Sequence, residues 1–158
     1  FAEEMGERLG IPVRVARDPR EAVEGMDVVV TATTARTPVF PGTWVAPGTH
    51  VTGVGSHTPD TRELDGILIQ RARVVVDERR AALSEAGDLI LPLKEGLISE
   101  EHIAAELGEV IAGLRPGRET PEQVTVFKSV GLAFQDIAAA TRVYELARAR
   151  GAGMEVPL

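Results

Sequence analysis

Five short runs rich in β-branched residues set the strongest limit on what this chain can fold into: IPVRVA at 11–16, DVVVTAT at 27–33, HVTGV at 50–54, RVVVD at 73–77 and VTVFK at 124–128. Runs this short and this apolar cannot stand as helices, and they have the character of strands buried inside a parallel sheet. Helical stretches separate them: the opening FAEEMGERLG, residues 20–24, 61–72, most of 78–114, and a long closing helix over 130–150. Strands alternating with helices imply an α/β domain, a doubly wound parallel sheet with helices on both of its faces. The closing helix gathers Ala133, Phe134, Ile137, Ala140, Thr141, Tyr144 and Ala147 on one side. An apolar stripe of that width is expected to pack on an upstream segment or on a second subunit.

The opening helix has no Ser, Thr, Asp or Asn in front of it, so a further segment is expected upstream of Phe1. The tail GAGMEVPL reads as a true end.

Composition removes several classes of function. A net charge of -7 argues against a nucleic-acid partner, which requires a basic face. There is no cysteine, so disulfides and thiolate chemistry are excluded. His50, His57 and His102 show no metal-ligand spacing, and no metal is expected. No apolar run approaches the roughly 18 residues of a membrane span, and no signal peptide opens the chain, which makes the cytoplasm the expected location.

In an open parallel sheet, ligands bind beyond the carboxyl ends of the strands. Three segments leave strands in a manner suited to that. Thr31-Ala32-Thr33-Thr34 offers small hydroxyl side chains, or simply a polar strand end. Gly53-Val54-Gly55-Ser56-His57 puts two glycines where a ligand can approach the backbone. His57 follows them and is either a proton carrier near neutral pH or a solvated loop histidine. Asp77-Glu78 ends the fourth run, where a carboxylate commonly caps the next helix. Glu63 and Asp65 fall within the expected helix 61–72, and their spacing puts them on different faces. Lys128-Ser129 lies between the last strand and the closing helix and suits either a cap or a ligand contact. The glycine-rich dinucleotide fingerprint GxGxxG is absent.

In order and spacing, GMDVVVTATTARTPVF, WVAPGTHVTGVGSHTPDTRELD, ARVVVDERRAALSEAGDL, ELGEVIAG and VTVFKSVGLAFQDIAAATRVYELA resemble the ornithine cyclodeaminase/mu-crystallin family. The phrases PGTHVTGVGS and VFKSVG carry the resemblance best, and it covers essentially the whole chain. It implies a partial Rossmann-type domain over residues 1–128, the carboxyl-terminal part of an NAD(P)-binding domain. Residues 129–158 would then be the helix and tail of a substrate and dimerisation domain, with the amino-terminal half of the protein absent.

The resemblance also implies NAD or NADP as cofactor, contacted by Thr33, Thr52, Gly53, Val54, Gly55 and Ser129, with Val130 near the substrate. It implies a homodimer when intact, acting on a small amino acid or cyclic imine. Where ornithine cyclodeaminases carry an aspartate, this chain has His57, which lacks a fixed negative charge and points towards ketimine reduction. The expected activity is hydride transfer to or from an imine or amino acid, with His57 moving the proton. The alternatives are ornithine cyclodeamination, giving proline and ammonia, and a non-enzymatic NAD(P)-binding crystallin-like protein.

Overall fold

The computed structural model describes residues 1–154 and 156, so Glu155, Pro157 and Leu158 of the tail lie outside the described residues. In chain order the elements are α1 (Ala2–Leu9), α2 (Pro19–Val23), β1 (Val28–Thr31), β2 (His50–Gly53), α3 (Gly66–Arg71), β3 (Arg73–Val76), α4 (Arg79–Glu85), α5 (Gly87–Lys94), β4 (Ile103–Glu106), α6 (Leu107–Ile111), β5 (Thr125–Lys128) and α7 (Ala133–Ala149). The five strands form one parallel sheet in the order β1-β2-β5-β3-β4.

Register follows from the side-chain alternation. Val29, Val51, Val126, Val74 and Ile103 stand side by side and are all buried. Leu64, Leu68, Ile69 and Leu89 pack in the same core. Each such side chain taken from water contributes about 1.5–3 kcal/mol. Asp65 starts α3 by accepting from the Leu68 amide at 2.8 Å, and Asp18 caps α2 in the same way through the Glu21 amide at 2.9 Å.

Four expectations need correction. Residues 11–16 are not a strand, because among the described residues no neighbouring strand offers them a ladder. Residues 103–106 are a strand, although Ile-Ala-Ala-Glu has the composition of a helix. Pairing with β3 outweighs that local preference. The helix expected over 61–72 starts only at Gly66, which leaves Glu63 in the preceding loop and Asp65 at the cap.

One face of the sheet is also left open at its β1 edge, since Val28 is 59% and Val30 63% exposed. α7 buries none of its residues, and Phe134 and Tyr144 stay 64% and 61% exposed. Among the described residues, no helix is long and apolar enough to cross a membrane.

Candidate functional site

All five strands finish in one row, with Thr31, Gly53, Lys128, Val76 and Glu106 in register. The loops that follow therefore leave from one edge. Thr33, Gly53, Val54, Gly55, His57, Ser129 and Val130 gather there. Thr52 sits one residue short of the edge, with its hydroxyl 3.1 Å from Nε2 of His50.

A carboxylate that the spacing had assigned to a helix face ties the first two tips together. Glu63 Oε1 accepts from the Thr33 amide at 2.6 Å, and Oε2 accepts from the Gly55 amide at 2.7 Å and the Thr31 hydroxyl at 3.0 Å. Glu63 is fully buried. Burial alone would push its carboxyl up, but the hydrogen bonds from Thr33, Gly55 and Thr31 more than offset this and hold it below the ordinary glutamate value. Gly55 is required here, because a Cβ would run into the Thr33 carbonyl and the Glu63 carboxylate.

Asp77 does for the tips of β5 and β3 what Glu63 does for those of β1 and β2. One carboxylate of the Asp77-Glu78 pair was expected to cap the next helix, and Glu78 does so, accepting from the amides of Arg80 and Ala81. Asp77 Oδ2 instead accepts from the Ser129 hydroxyl at 2.8 Å and from the Val130 and Gly131 amides at 2.9 Å each. Gly131 takes a φ of 83°, which lets its amide turn inward to that oxygen.

Beneath both lies Lys128, which does not cap α7. Its ammonium is fully buried, 3.1 Å from Asp88 Oδ2, and it donates to the carbonyls of Ser56 at 2.6 Å and Gly53 at 3.2 Å. The approach to Oδ2 is too oblique for a straight hydrogen bond, so that contact is chiefly ionic. Asp88 Oδ1 accepts from the amides of Glu63 at 2.7 Å and Leu64 at 2.8 Å. Burial pushes the Asp88 carboxyl up, against the lowering effects of Lys128 and these amides. The pair thus holds the backbone of Glu63 and, through it, the clamp on Thr33 and Gly55.

His57 stands exposed beside Gly55, with Nδ1 3.1 Å from that residue's carbonyl oxygen. A carbonyl can only accept, so Nδ1 is the donor in this contact. Among the described residues, no group of three or more His, Cys, Asp or Glu could hold a metal ion.

The family model for the ornithine cyclodeaminase/mu-crystallin family matches residues 1–151. The chain belongs to that family. It is 46% identical over 157 residues to the Delta(1)-pyrroline-2-carboxylate reductase of Bacillus cereus, covering 99% of this chain and 48% of that protein. It is 45% identical over 144 residues to the ketimine reductase mu-crystallin of Mus musculus, covering 91% of this chain and 43% of that protein. Among solved structures it is similar to the Thermococcus litoralis Delta(1)-pyrroline-2-carboxylate reductase in complex with NADH and L-proline. That match has a TM-score of 0.94 and 47% identity, and covers 99% of this chain and 48% of that one. The chain therefore spans about half the length of these relatives.

The hydrogen bonds give two residues, Glu63 and Asp77, positioning roles that the sequence reading had not given them. Glu63 would have been found had Asp65 been read as a helix cap three residues before Leu68, which ejects Glu63 from the helix. Asp77 carried no such signal, because its donors lie more than fifty residues away in the chain.

Proposed function

We propose that residues 1–128 are the carboxyl-terminal part of an NAD(P)-binding domain and that 129–158 lead into a substrate and dimerisation domain. The whole would be a cytoplasmic homodimeric NAD(P)-dependent oxidoreductase acting on a small cyclic imine or amino acid. The observation that carries this reading is the close structural likeness to the reductase solved with NADH and L-proline. The uncovered apolar side of α7 supports the dimer.

The residues at the strand tips fit the nicotinamide end of such a cofactor. Thr33, Gly53, Gly55 and Ser129 are small and let a flat ring lie close to the backbone. The amides of Thr33, Gly55, Val130 and Gly131 are already engaged internally, so this edge does not suit a pyrophosphate. When bound, the nicotinamide supplies or takes up the hydride.

The protein positions the reacting groups and moves the proton. Thr33, Thr52, Gly53, Val54, Gly55 and Ser129 form the cofactor wall, with Val130 towards the substrate. His57 Nε2 gives a proton to the substrate nitrogen or takes one from it.

The test is the absorbance of reduced nicotinamide when the full-length protein meets Δ1-pyrroline-2-carboxylate. Falling absorbance is expected. Ammonia release from ornithine with no net change in cofactor would replace this reading with the cyclodeaminase one. A His57→Ala variant that turned over normally would remove the proton role from His57.

A further inference from the structure

Four charged side chains are buried among the described residues, namely Glu63, Asp77, Asp88 and Lys128, and all four lie at or just beneath the edge where the strands end. Lys128 is paired with Asp88. The three carboxylates therefore face a single ammonium. Among the described residues, Glu63 and Asp77 are met only by neutral donors: Glu63 by two amides and a hydroxyl, Asp77 by the Ser129 hydroxyl and the amides of Glu78, Val130 and Gly131.

Hydrogen bonds satisfy these oxygens but do not remove their charge. In a partly desolvated setting such a charge acts over several ångströms. Glu63 lies under the tips of β1 and β2, and Asp77 under those of β5 and β3, so the two lie on either side of the middle of that edge.

We propose that Glu63 and Asp77 are fixed counter-charges which make this edge of the sheet favour the oxidised, cationic nicotinamide ring over the reduced, neutral one. The inference rests on the nicotinamide reading above. It goes beyond that reading by assigning the preference between redox forms to two residues that need not touch the ring. Stabilising the oxidised form is the sense that favours reduction of the substrate.

At a separation of roughly 8 Å and an effective dielectric constant of roughly 40, one such charge changes the affinity for a cation about fivefold.

The experiment is calorimetric titration of the full-length protein with NAD+ and with NADH, for the wild type and for Glu63→Gln and Asp77→Asn. Each substitution keeps the side-chain shape and one acceptor oxygen while removing the charge. The expected result is an about fivefold fall, in each variant, in the ratio of the NADH Kd to the NAD+ Kd. A loosened structure would weaken both forms equally, and an unchanged ratio overturns the proposal.

A second measurement needs no variant. In wild-type protein the 1-methylnicotinamide cation should compete for the site more strongly than neutral nicotinamide, and equal or weaker competition also overturns the proposal. Failure of the wild type to bind either dinucleotide overturns the functional reading itself, and this inference with it.

Discussion

Lys128 Nζ stands 3.1 Å from Asp88 Oδ2, and neither side chain has any solvent exposure. A buried ion pair is weak evidence for net stability, but breaking one half of it leaves a charge with no partner. Lys128→Met is expected to cost about 3–5 kcal/mol, and combining it with Asp88→Leu should recover part of that loss. Chemical denaturation of the two single variants and the double variant measures both terms. Equal stability of Lys128→Met and wild type would show that the pair holds nothing in place.

Gly55→Ala places a methyl group against the Thr33 carbonyl and the buried Glu63 carboxylate. The tips of β1 and β2 must then move apart. A loss of about 1–3 kcal/mol is expected, the usual cost of forcing an extra methyl group into a packed site. Cofactor affinity in the full-length protein should fall at the same time. Thermal melting and calorimetric titration read the two effects separately, and a variant unchanged in both would contradict the clamp.

His50 is half-buried between the hydroxyls of Thr125 at 2.7 Å and Thr52 at 3.1 Å. Burial, and then the Arg118 guanidinium, push its pKa below the ordinary value of 6.5. The unfolded chain therefore binds the proton more readily than the folded one. Stability is expected to be full above about pH 6.5 and to decline as pH falls from there towards the depressed folded value. In His50→Gln that portion of the stability profile should be flat, and urea titrations between pH 5 and 7 check it.

The apolar side of α7 carries Phe134, Ile137 and Tyr144 in the open. Surface of this kind associates at working concentrations. Sedimentation should show association that depends on concentration and weakens in Ile137→Glu. A monomer at every concentration would count against it.

Much of the fold could be read from residue types. Val28–Thr31, His50–Gly53, Arg73–Val76 and Thr125–Lys128 are strands where β-branched runs predicted them, because such side chains fill a buried pleated surface. β4 was hidden because its two alanines and its glutamate favour a helix when read locally. Residues 11–16 alternate like a strand, yet alternation cannot supply a neighbour.

The site divides in the same way. The tips at Thr33 and Gly55 were visible as small residues after apolar runs. The side chains beneath them were not, since Glu63 reaches Thr33 across thirty residues and Asp77 reaches Ser129 across more than fifty. Such contacts are written in the tertiary structure and leave no periodicity to find.

Parallel strands that stop in a common line also separate two kinds of evolutionary change. Valines facing the interior answer to packing, whereas a segment projecting past the line can change wherever it does not carry the amides held by Glu63 and Asp77. New projecting turns can therefore be tried on this scaffold without repacking the interior, provided the clamped residues are kept.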